Sequence, residues 1–310
     1  MPDPYWQAIR ARPPDRALAW VLANAGRGAT ITSVRRLYGG TSSAVHAVNL
    51  RDARGVLRRL VLRRHVRADW LGREPNLAER EARVLELLAA TDVPAPEPVA
   101  VDAGGSSCDV PAVLMTRLPG RVLLDANELR ATFDQLAATL ARIHAVDAPG
   151  RVQPYGLYYD PRRIEPPAWS RHRDAWAKAI ELACGPAPEV EPGFIHRDFH
   201  PSNVLWSRGR LTGVVDWLSA SWGPPLVDVA HCRLNLAALH GVAMADAFLD
   251  AYRAVAGPVE YHPYWDVTAT IDSGRRLDPK PFEGWGALAP TETQVRERID
   301  AHIVAAVARL

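Results

Sequence analysis

The feature that most limits the fold is a change of pattern near Pro119-Gly120. Before it, the chain alternates like strands: ITSVRRL (31–37), AVHAVNL (44–50), VLRRLVLRRH (56–65) and PAVLMTRLPG (111–120). The first three follow one another closely and predict an antiparallel meander. One helix is predicted among them over 75–90, with Leu77, Val84, Leu85 and Leu88 on one stripe. After residue 120 helical periodicity takes over, over 125–146, 170–184, 226–239, 242–256 and 291–309. Strands first and helices afterwards give an α+β fold in two lobes, residues 1–119 and 120–310. Residues 257–290 read as irregular and are rich in Pro, Gly and Trp.

Composition closes off other classes. Net charge is +2, which does not suit a nucleic-acid binder. It is distributed unevenly: residues 1–120 hold 17 Lys+Arg against 12 Asp+Glu, and residues 181–310 hold 11 against 16. A basic first part suits an anionic ligand, and an acidic last part a neutral or cationic one. Three scattered cysteines give neither a disulfide framework nor a zinc knuckle. No apolar run reaches the roughly 20 residues that span a bilayer, and the first residues do not read as a signal peptide. A cytoplasmic protein with no membrane or nucleic-acid partner is the expectation.

The densest chemistry lies in IHRDFHPSNVLW (195–206). VLW (204–206) and LTGVV (211–215) form a hairpin around SRGR, so Asn203 enters one strand and Asp216 leaves the other. An amide oxygen and a carboxylate at the mouth of a hairpin make a hard-oxygen set that suits Mg²⁺. Asp198 lies on the preceding loop. His196, Asp198 and His200 also alternate, so a metal triad is a competing reading, as is a scaffold role for both histidines.

His196-x-Asp198-x-His200-Pro201-x-Asn203 followed by Val215-Asp216-Trp217 resembles the core of the aminoglycoside phosphotransferase and choline kinase family, which has a protein-kinase-like fold. The resemblance implies a small antiparallel nucleotide-binding lobe and a mainly helical catalytic lobe. It implies that Asp198 orients or deprotonates an attacking hydroxyl, that Asn203 and Asp216 hold Mg²⁺, and that His196, His200 and Asp228 support the loop. Arg197 stands where the family usually has Gly.

In the first lobe, Gly39, Gly40, Thr41, Ser42 and Ser43 join two strands and offer a phosphate cradle. The family's third strand carries a lysine on the phosphates, but no lysine precedes Lys178, and Arg63 takes that position next to Val61. Glu81 sits on the buried stripe of the 75–90 helix, so it needs a partner, and Arg63 is the natural one. The strand with Met115, Thr116 and Leu118 takes the place of an adenine-binding hinge. The residues do not distinguish ATP from GTP.

Only 12 positions separate Asp216 from Asp228, too few for the activation segment of a protein kinase. A small hydroxyl compound is the expected acceptor: an aminoglycoside-like antibiotic, an amino alcohol or a sugar. Trp222, Trp265, Asp266, Asp272 and Glu283 are its candidate contacts, aromatic faces and carboxylates that suit an amine. The alternative is a nucleotide-binding module without transfer, suggested by the missing lysine and the altered glycine loop.

Overall fold

The computed structural model describes residues 4–37, 43–273 and 289–310. The chain divides into two units, Met1–Pro119 with Gly213–Leu218, and Gly120–Thr212 with Ser219–Leu310.

Unit 1 begins with helices α1 (Pro4–Arg10) and α2 (Asp15–Ala25), neither of which the strand pattern foreshadowed. The meander follows as β1 (Thr30–Arg36), β2 (Ala44–Arg51) and β3 (Leu57–Arg64). A short helix α3 (Ala68–Leu71) leads into α4 (Leu77–Leu88), then β4 (Pro98–Asp102) and β5 (Ala112–Thr116). The sheet order is β1-β2-β3-β5-β4, antiparallel throughout. The sequence pattern did not mark the strand β4. It starts on Pro98 at the sheet edge, where a missing N–H costs no ladder bond. One sheet face buries Val48, Leu50, Leu60, Leu62 and Leu114 against Ala17, Trp20 and Val21 of α2.

Two imidazoles are buried in unit 1. Burial, with Arg64 adding to it, lowers His46 to about 4, and burial with Arg63 and Arg80 lowers His65 to about 3. Both are neutral in the folded chain at pH 7, while unfolded histidine titrates near 6.5. Between those values the unfolded chain binds more protons, so stability falls as pH falls through 6.5 toward 4. Full protonation of His46 alone costs roughly 3 kcal/mol. Urea unfolding at pH 7, 5.5 and 4.5 is expected to show that slope, and the His46→Gln/His65→Gln double variant to flatten it.

Unit 2 contains α5 (Ala126–Arg130), α6 (Phe133–His144), β6 (Gln153–Pro154), α7 (Arg173–Cys184) and β7 (Gly193–Ile195). After these come β8 (Val204–Ser207), β9 (Arg210–Val214, whose last two residues are counted in unit 1), β10 (Ser221–Gly223), α8 (Leu226–His240) and α9 (Val242–Ala256). The last are α10 (Tyr264–Asp272) and α11 (Glu292–Val307). The single helix expected over 125–146 is two, because Thr132 breaks it. Its hydroxyl donates back to the Leu129 carbonyl at 2.7 Å, a local bond that competes with the helical ladder. The hairpin β8–β9 closes through Arg208 (φ 52°) and Gly209 (φ 73°), both left-handed as a two-residue type I′ turn requires.

The helical core gathers Trp176, Leu234, Leu239, Val267, Ile271, Val295, Ile299 and Ile303. Within it, Arg233 and Asp266 form a two-pronged ion pair at 2.8 and 2.9 Å, with neither side chain exposed. Tyr261 and Arg309 also donate to Asp266, at 2.6 and 2.7 Å. The pair links α8 to α10, and this corrects two expectations. Residues 264–272 are helix, not loop, because Tyr264, Trp265, Thr268 and Ile271 recur at helical spacing and are buried. Trp265 and Asp266 therefore belong to the core and are not acceptor contacts: Trp265 is 2% exposed, and Asp266 is consumed by its cations.

Candidate active site

In unit 1, Arg63 is the hub. It sits in β3 opposite Val45 of β2 and Val113 of β5, and it is 5% exposed. Its Nε donates to Ser43 Oγ at 2.9 Å. Its Nη1 lies 2.8 Å from Glu81 Oε1 on α4 and 2.8 Å from Asp216 Oδ1. A guanidinium can serve three partners at once because its donors are fixed in a planar fork. Burial opposes its charge, but Asp216 and Glu81 outweigh that and raise its pKa. Burial pushes the Glu81 carboxyl up against the pull of Arg63. Asp216 adopts φ 69°, a costly backbone for a non-glycine residue, and keeps about a third of its side chain exposed.

Val61 lies beside Met115 across β3 and β5. Thr116 is half-buried, and its amide donates to the Glu97 carbonyl at 2.9 Å, while the Arg117 amide donates to Arg59 at 3.0 Å. Both amides are therefore already paired within the unit. Gly39, Gly40, Thr41 and Ser42 lie outside the described residues, as does Glu283. Arg64 is 6% exposed and paired with Asp109 through Nε at 2.9 Å. Alternation along β3 puts it on the same face as the buried Leu60 and Leu62.

In unit 2, the loop after β7 is pinned from below by Asp228, which is fully buried on α8. Asp228 accepts the His196 amide at 2.7 Å and the Arg197 amide at 2.6 Å. His144 Nε2 stands 3.3 Å from the same carboxylate, with its Nδ1 2.8 Å from Tyr252 Oη. His196 is buried against Phe199, and its Nδ1 accepts the Asp198 amide at 3.2 Å. Among the described residues, His196 does not join Asp198 and His200 in a group with metal-ligand spacing.

Arg197 takes φ 68°, which explains why a glycine is easily accommodated at this position. Its guanidinium lies 3.7 Å from the Tyr158 ring centroid and 4.8 Å from that of Tyr155, and 3.3 Å from Asp272 Oδ2. Asp272 also accepts the amides of Tyr158 and Tyr159. It therefore holds the 155–159 segment instead of standing free for an acceptor. Trp222 is half-buried in β10.

Asp198 keeps 38% of its side chain exposed. Its Oδ2 accepts from Asn203 Nδ2 at 3.0 Å, and the same amide nitrogen donates to the Asp198 carbonyl at 2.9 Å. These two bonds fix the Asn203 amide, so its oxygen points the other way. His231 Nε2 approaches Asp198 Oδ1 at 3.0 Å. Desolvation opposes the Asp198 charge, but His200, His231 and His196 outweigh it, and the carboxyl stays below its usual range. An ionised, weakly basic carboxylate is better suited to orienting a hydroxyl than to taking its proton early. Sequence reasoning missed His231, His144, Tyr155 and Tyr158. His231, three residues beyond Asp228, carries a local signal only in its helical spacing.

The profile of the phosphotransferase enzyme family (APH) matches residues 33–269. The chain belongs to that family. A phosphotransferase fold of this kind recurs in solved structures at low identity. A thermostable mutant of aminoglycoside phosphotransferase APH(4)-Ia, solved as a ternary complex with ADP and hygromycin B, aligns with TM-score 0.62 and 20% identity over 93% of this chain and 97% of that one. Macrolide 2′-phosphotransferase MphH from Brachybacterium faecium aligns with TM-score 0.56 and 20% identity, over 92% of this chain and 97% of that one. Among curated proteins, homoserine kinase of Rhodospirillum rubrum is 30% identical over 175 residues, 48% of this phosphotransferase-family chain and 50% of that protein. Mouse acyl-CoA dehydrogenase family member 10 is 26% identical over 220 residues, 63% of this chain and 20% of that protein. The chain thus spans half or less of these two curated relatives. Among the described residues, no helix is long and apolar enough to cross a membrane.

Proposed function

We propose that this phosphotransferase-family protein is an ATP- and Mg²⁺-dependent O-phosphotransferase acting on a small hydroxyl compound. The observation that carries the reading is Asp198: an ionised carboxylate, partly open to solvent, with Asn203 on one oxygen and His231 on the other. A carboxylate so fixed can accept one more hydrogen bond, from an alcohol, and aim its oxygen lone pair.

Phosphoryl transfer depends on placement and on neutralising charge more than on covalent help. Arg63 supplies a buried cation toward phosphates, and Glu81 and Ser43 hold it in place. The amide oxygen of Asn203 and the carboxylate of Asp216 are hard-oxygen donors of the kind Mg²⁺ takes, and both residues are partly exposed. The ion's chemistry, when bound, is neutralisation of phosphate charge. The named solved relatives bind or act on antibiotics, and homoserine kinase is named for an amino-acid alcohol; the acceptor class proposed here is the wider one of small alcohols. Trp222 and the exposed Tyr158 and Tyr159 offer aromatic faces for it.

ADP release measured with Mg²⁺-ATP across amino sugars, macrolides, amino alcohols and sugars tests the reading. The expected result is release stimulated by one class of alcohol. A nucleotide-dependent thermal shift with no stimulated release by any of them favours the second reading, a binding module. That second reading has its own support, since Asp216 is already paired with Arg63 through Oδ1 at 2.8 Å.

A further inference from the structure

Three side chains of unit 2, Asp198, His200 and His231, converge on one point. His231 Nε2 and His200 Nε2 stand 3.0 and 3.6 Å from the same oxygen of Asp198. The two rings face each other edge-on, with centroids 5.6 Å apart. One donor atom from each of the three residues lies within 4.8 Å of the others, and all three are only half-buried, within reach of a hydrated ion.

The donor set decides the class of ligand. Mg²⁺ takes oxygens and holds its water, whereas two imidazoles and one carboxylate suit zinc and its neighbours. Bonds of about 2.0–2.1 Å in a tetrahedron place neighbouring donors about 3.3 Å apart, and the two observed spacings bracket that value. The backbone beneath is fixed: Asp228 pins the loop that carries Asp198 and His200, and His231 projects from α8. His200 Nδ1 accepts the Ser202 amide over a long 3.3 Å, and its Nε2 stands an equally long 3.3 Å from Asn203 Nδ2, a contact an ion would replace. Presenting an Nε2 lone pair to an ion places the ring proton on Nδ1 in both histidines, which costs His200 the weak bond from Ser202.

We infer that Asp198, His200 and His231 form a binding site for a zinc-class divalent ion, with a fourth position open to water. An ion held there occupies the Asp198 oxygen next to His231. The site itself needs only the three side chains and does not rest on the proposed activity.

The test is titration of tag-free, chelator-treated protein with Zn²⁺ by calorimetry, and with Co²⁺ by visible absorption. One equivalent of Zn²⁺ should bind, Co²⁺ should give the strong bands of a four-coordinate site, and excess Mg²⁺ should not displace either. His200→Ala and His231→Ala should each weaken binding by about tenfold or more, as even outer-shell changes do. Cys184→Ser should leave it unchanged, since that exposed thiol lies outside the cluster. Absence of stoichiometric binding in the wild type overturns the inference, as does full binding in both histidine variants with native circular dichroism. A negative titration leaves the ADP-release assay interpretable, and a protein inactive with every alcohol can still be titrated.

Discussion

The Asp198→Asn variant is expected to lose phosphotransfer by about 10²–10⁴-fold, the range for removing a positioned acid–base group, while keeping its fold. The substitution keeps the shape of the side chain but turns one acceptor oxygen into a donor. Asn203 and His231 each present an N–H group to the carboxylate, one on each oxygen. An amide at 198 can satisfy only one of them and has no charge left to orient an alcohol. Because Asp198 is partly solvated, the misplaced N–H groups can turn to water, and urea stability should change little. The expected pattern is thus a collapse of kcat with a midpoint close to wild type, read from stimulated ADP release and from denaturation of the same preparation.

Asp228→Ala should reverse that balance and fail first in stability. Asp228 is completely buried and accepts two backbone amides, those of His196 and Arg197. Removing it orphans both, at about 1–3 kcal/mol each, or roughly 2–6 kcal/mol together. His144 loses its carboxylate as well. Arg197 is held at φ 68° by this anchor, so its release lets the backbone relax toward an ordinary conformation and carries the next residue, Asp198, out of place. Equilibrium unfolding should show the loss. Turnover should also be impaired at temperatures where the variant is still folded. A variant as stable as wild type would mean that the two amides find water.

The contrast between the two carboxylates shows what the sequence could and could not convey. The meander, α4 and the long helices of unit 2 were legible because burial on one face writes a period of 2 or 3.6 into the residues. Glu81 was legible for the same reason: a carboxylate on an apolar stripe demands a cation, and Arg63 is that cation. Trp265 and Asp266 were misread because an aromatic–acid mixture looks the same in a binding loop and in a core with a buried arginine. The partner that decides, Arg233, lies 33 positions away. His231 and the Arg197–Tyr158–Asp272 cluster are long-range meetings for which no local pattern exists. Helices α1 and α2 precede the first motif, although α2 carries an apolar stripe of its own, Ala17, Leu18, Trp20 and Val21.

The measurement closest to the central claim follows the γ-phosphate itself. Protein, Mg²⁺ and ATP labelled in the γ-phosphate are incubated with the alcohol that most stimulates ADP release, and the label is located by mass spectrometry. The expected result is one phosphoryl group on the alcohol oxygen, formed by wild type and lost with Asp198→Asn. Label that appears only as inorganic phosphate, or an alcohol phosphorylated equally well by the Asp198→Asn variant, would contradict it.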